Sequence, residues 1–85
     1  MKTVRCEILT PEKVELREEA EFIVAPGSEG ELGILPGHTR LLAGLKAGTV
    51  RLVTGSATKK ISIAAGFVNI EPAMVKIFSP SAKSM

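Results

Sequence analysis

The side chains of this 85-residue sequence that could do chemistry are few and scattered. Cys6 and His38 are its only cysteine and only histidine, so a thiol–imidazole pair would have to be built from them. A thiol attacks once a neighbouring base draws its proton. Cys6, however, lies in an alternating run, with Val4, Cys6 and Ile8 on one face and Arg5 and Glu7 on the other. That phase predicts a buried core thiol rather than a nucleophile. His38 follows Pro36-Gly37, a surface-turn signature, where it can titrate or donate a hydrogen bond across an interface. One cysteine excludes a disulfide framework and a cysteine-based metal site. No catalytic, cofactor-binding or metal-binding residue is assigned, and the chain is read as non-catalytic.

The most unusual segment is Pro26-Gly27-Ser28-Glu29-Gly30-Glu31-Leu32-Gly33-Ile34-Leu35-Pro36-Gly37-His38, with four glycines and two prolines in thirteen residues. Such a run predicts tight turns around one short apolar strand, Leu32–Leu35, with Pro-Gly in the middle of a type II turn. The glycines invite a phosphate-loop reading, but no Gly-Lys-Ser/Thr follows, no amphipathic helix begins, and Glu29 and Glu31 would repel phosphate. What remains is a hairpin presenting two glutamates and a leucine, suited to docking on basic or polar loops.

The elements that position these residues follow from dense punctuation. Turn signals at Thr10-Pro11, Pro26-Gly27, Pro36-Gly37, Ala47-Gly48, Thr54-Gly55, Ala65-Gly66 and Glu71-Pro72 leave short segments that alternate polar and apolar. The fold class is therefore all-β. Leu41, Leu42 and Leu45 would also suit a helical turn, but Gly44 and Gly48 favour a strand. The Glu18-Glu19 pair is expected to bend the chain between two strands, and Glu18, Glu19 and Glu21 to form a solvated edge. Lys59-Lys60 is read as a solvated part of a hairpin. The tail, residues 79–85, is expected to fray. One domain, residues 1–85, accommodates all of this.

Eleven basic and nine acidic residues give a net charge of +2, too weak a bias for a nucleic-acid partner. Three phenylalanines in apolar surroundings offer no stacking platform for bases. The longest apolar run, Ile61–Val68, is too short to span a bilayer, and the N-terminus has no apolar signal core. A cytosolic or peripheral location follows.

The run Ala25–His38 resembles the signature of the epsilon subunit of F-type ATP synthases. Its flanks agree: Cys6-Glu7-Ile8-Leu9-Thr10-Pro11-Glu12 is similar to the family's first strand and turn, and Leu45-Lys46-Ala47-Gly48-Thr49-Val50-Arg51 to its middle. Ile63-Ala64-Ala65-Gly66-Phe67-Val68-Asn69-Ile70 resembles its Gly-Gly-Phe strand pair, with Ala65 in place of the first glycine. The resemblance covers about residues 4–78 in order.

The resemblance implies a ten-stranded β-sandwich of two five-stranded sheets. It implies a central-stalk rotor subunit that docks gamma onto the c-ring and couples proton or sodium translocation to ATP synthesis. The implied site is peripheral, on the cytoplasmic face of the bacterial plasma membrane. By the same match Glu29, Glu31 and Leu32 face the c-ring, and Thr10 and His38 face gamma. Most family members continue into a helical hairpin that restrains hydrolysis and in some members binds ATP. This sequence stops at Met85, read as the end of a naturally short member in preference to one domain of a longer protein; in either case those roles are not carried over. The competing reading is a free-standing β-domain that binds a ligand or nucleotide at the glycine-rich loop.

Overall fold

The computed structural model describes residues 2–37 and 39–85. Among these are ten strands and no helix: β1 Val4–Leu9, β2 Val14–Ala20, β3 Phe22–Gly27, β4 Gly30–Ile34, β5 Leu41–Leu45, β6 Gly48–Thr54, β7 Ala57–Ile63, β8 Gly66–Glu71, β9 Met74–Phe78 and β10 Ala82–Ser84. Each strand is short because a glycine, a proline or a polar turn closes it before a helix could grow.

Hydrogen bonding links the strands in the order β10-β7-β6-β3-β5-β8-β9-β1-β2, with β4 added to β3. The path narrows to one residue pair between β3 and β5, Gly27 opposite Leu45. On either side of that link lie five strands, so a nearly closed, barrel-like sheet divides into the two five-stranded layers of a sandwich. All pairings are antiparallel except that of β1 with β9.

The period of two fills the space between the layers. Val4, Cys6, Ile8, Val68, Ile70, Val75 and Ile77 come from one layer, and Ile23, Ile34, Val50, Leu52, Ile61 and Ile63 from the other. The core is thus mostly β-branched, as sheet-on-sheet packing favours. Burial pushes the Cys6 thiol up to about 12, with Glu18 and Glu7 adding to the effect. A thiol so shifted is inert, in keeping with its expected place in the core.

Two expectations are corrected. The chain does not bend at Glu18-Glu19, which lie inside β2; the break falls at Glu21. The phase of the sequence explains why. Inward residues are even-numbered up to Ala20 and odd-numbered from Ile23, so one residue between β2 and β3 must absorb a change of register as the chain crosses layers. The tail does not fray either. Residues 82–84 pair with Ile61–Ile63, and Ala82 packs on the core. Buried Ser79 anchors the approach, its N–H donating to Leu9 O at 3.0 Å and its hydroxyl reaching Ser81 O at 2.8 Å. Small polar residues concealed this strand, whose register comes from β7.

Leu41–Leu45 is a strand, as its glycines suggested. Gly37 has φ of 83°, the value a type II Pro-Gly turn requires. Gly66 is needed for a different reason: a Cβ there would stand 1.9 Å from the carbonyl oxygen of Phe78.

Candidate interaction surfaces

The glycine-rich segment forms the β3–β4 hairpin, in which Pro26 faces Glu31 and Gly27 faces Gly30. Its tip carries exposed Ser28, Glu29, Gly30 and Glu31. Alternation then sends Leu32 inward with Ile34, where it packs against the core. The structure brings all three residues expected at the tip to one groove, the two glutamates exposed and Leu32 half-buried at its wall. The apolar side chain beside them is Leu42 of β5, 68% exposed, which lines the same shallow groove of about 440 Å³. Ser28 N–H donates to Gly44 O at 3.0 Å, tying the tip to β5. Leu42 was visible in the sequence only as part of a leucine triplet, and its outward direction depends on pairing with Asn69 of β8.

A second surface lies next to the first, since Gly44 of β5 pairs with Phe67 of β8. Phe67 is 46% exposed and stacks on Phe78 with ring centroids 4.9 Å apart. With Leu9, Pro11 and Pro80 the rings line an apolar groove of about 500 Å³, and Thr10 stands at its rim. Thr10 also closes the β1–β2 turn: its N–H donates to Lys13 O at 3.0 Å, and its hydroxyl reaches the same oxygen at 3.2 Å. A solvated phenylalanine set in an apolar groove marks a contact surface. The sequence placed Phe67 and Phe78 in apolar surroundings and missed the exposure of Phe67, which follows from its pairing with half-buried Phe78 on the outer side of β8 and β9.

The acidic edge is more ordered than expected. Glu19 accepts from Thr3 Oγ1 at 2.8 Å and pairs with Arg5 at 3.2 Å, contacts that hold its carboxyl below the usual range. Gly55 N–H donates to Glu21 Oε1 at 3.0 Å, and Glu18 pairs with Lys59 of β7. Glu7, read as an outward charge, is buried and paired with Arg17 at 2.9 Å. Among the described residues no group of three His, Cys, Asp or Glu could hold a metal ion. His38 lies outside the described residues.

Residues 3–85 match the family described as ATP synthase, Delta/Epsilon chain, beta-sandwich domain. The chain belongs to this family. Among curated relatives, the ATP synthase epsilon chain of Desulforamulus reducens is 43% identical over 82 residues, covering 96% of this chain and 62% of that protein. That of Syntrophobacter fumaroxidans is 40% identical, covering 94% of this chain and 60% of that protein. The chain thus spans about three-fifths of the length of the curated relatives it matches.

Solved structures agree on the fold. A chain in the Euglena gracilis mitochondrial ATP synthase OSCP/F1/c-ring structure superposes with TM-score 0.88 at 22% identity, covering 96% of this chain and 53% of that one. A chain in the Tetrahymena thermophila mitochondrial ATP synthase central stalk/c-ring structure gives 0.76 at 17% identity, covering 95% and 66%.

Proposed function

We propose that this domain is a central-stalk rotor component of an F-type ATP synthase. It joins the gamma subunit to the membrane c-ring, couples proton or sodium translocation to ATP synthesis, and has no catalytic site of its own. Family membership over residues 3–85 carries the reading. Its place is the cytoplasmic face of the bacterial plasma membrane, where it is held by its partners. Among the described residues no helix is long and apolar enough to cross a membrane.

The surface supports this role. Glu29 and Glu31, with Leu42 beside them and Leu32 bracing the hairpin from within, present a polar tip to the c-ring loops. The aromatic groove with Thr10 at its rim faces gamma, joined on sequence grounds by His38. Because β5 borders both surfaces, a load taken at the tip passes into the groove through one sheet. A spacer that transmits torque needs this stiffness and two docking faces. Nucleotide binding at the glycine-rich loop is disfavoured by the same glutamates.

The test is co-elution of the folded chain with purified gamma and with solubilised c-ring. Binding to both is expected; a folded chain that fails to bind gamma would overturn the reading.

A further inference from the structure

Arg51 of β6 and Lys60 of β7 stand directly opposite each other. Both point outward, since Val50, Leu52 and Ile61 beside them are buried. Like charges in that relation destabilise a strand pair unless an anion lies between them. Lys46, in the β5–β6 turn, lines the same dish of about 460 Å³ and is anchored by its N–H donating to Pro26 O at 2.9 Å. The one acid lining the dish is Glu31, 3.6 Å from Arg51 and mostly exposed. Among the side chains, Lys46, Arg51 and Lys60 against Glu31 give a charge of three minus one, or +2. Neither lysine has an ion-pair partner among the described residues. On the opposite outer face, Arg5 and Arg17 are each paired with a glutamate. Three cations are thus gathered at this dish around a single acidic side chain.

The remaining lining fits an anion with several oxygens. Thr49 spends its hydroxyl on Met85 Sδ at 3.7 Å, a weak acceptor it can exchange for a better one. Pro26, Ala47 and Gly48 form a small apolar floor. A guanidinium offers forked donors that match phosphate oxygens, and ammonium groups add point charges around them. Glu31 borders both the dish and the hairpin groove, so the dish adjoins the tip.

We propose that Lys46, Arg51 and Lys60 form a site for the phosphate of an anionic phospholipid headgroup, an electrostatic contact between the rotor domain and the bilayer beside the c-ring. The lipid source rests on the membrane-proximal placement of the tip given above; the phosphate chemistry rests on the dish itself.

The test is co-sedimentation with phosphatidylglycerol and phosphatidylcholine vesicles at low and high salt. Binding is expected to phosphatidylglycerol only and to weaken with salt. Lys46→Ala and Lys60→Ala should each reduce it by about fivefold, whereas Lys76→Ala, on the opposite outer face, should leave it unchanged. Lys60→Ala should also leave thermal stability equal or raised without lipid, since it relieves the like-charge pair. No vesicle binding by the parent chain, equal loss in Lys76→Ala, or equal binding to phosphatidylcholine would each overturn the proposal. Binding of pyrophosphate without vesicle binding would overturn the lipid source. Loss of c-ring co-elution in the two lysine variants with vesicle binding intact would make the dish a protein contact instead. Gamma co-elution with the same preparations tests the rotor reading separately.

Discussion

Glu18 and Lys59 form an ion pair that joins β2 to β7 across the open side of the sandwich. Glu18 lies opposite buried Cys6, and Lys59 opposite buried Leu52, so each leaves its strand on the inner side. Backbone bonds reinforce the seam, with Glu21 N–H donating to Val53 O at 2.9 Å. The two layers are thereby linked at the side remote from their Gly27–Leu45 junction.

The carboxylate and ammonium are 40% and 46% exposed, so water screens the pair. A double-mutant cycle with Glu18→Gln and Lys59→Met, followed by urea unfolding, should give a coupling of about 0.5–1 kcal/mol that shrinks in high salt. A coupling of zero would assign closure of the seam to the backbone bonds alone.

Gly66→Ala should cost about 2–3 kcal/mol, because the new methyl collides with the Phe78 carbonyl and must push β8 from β9. The same shift should disturb the Phe67–Phe78 stack and weaken gamma binding. Unchanged stability would show that this strand pair yields freely, contrary to its packing.

Glu31→Lys should leave the unfolding midpoint nearly unchanged, since the Glu31–Arg51 pair is exposed and worth under about 1 kcal/mol. It should nevertheless weaken seating on the c-ring and lower ion-coupled ATP synthesis in a reconstituted complex. Full coupling in that variant would remove Glu31 from the docking surface.

Cys6 links stability to alkaline pH. Its folded pKa is raised above the ordinary 9.0 to about 12, chiefly by burial. The unfolded chain therefore loses this proton first, and the contribution is present below pH 9.0 and lost as pH rises toward about 12. Cys6→Ala should flatten the alkaline limb of a stability–pH curve, although it leaves a cavity and lowers stability at neutral pH. Alkylation of the native thiol should be slow at neutral pH and fast after unfolding; equal rates would contradict its burial.

Period-two alternation and regular turns were enough, in the sequence alone, to specify an all-β chain, an inward Cys6 and a Pro-Gly turn before His38. These are local properties, set by side-chain phase and backbone sterics within a few residues. The order of Ala25–His38 and its flanks was also enough to identify the family. Only the tertiary structure decided which side chains of the glycine-rich hairpin remain outside, because Leu32 can turn inward only where a core awaits it. It likewise decided that Leu42 and Phe67 stand exposed on the outer side, and that Arg51 confronts Lys60. The tail became a strand through Ile61–Ile63, which lie about twenty residues earlier in the chain. Such features depend on strand register, and register is a contest among distant pairings that no local pattern records.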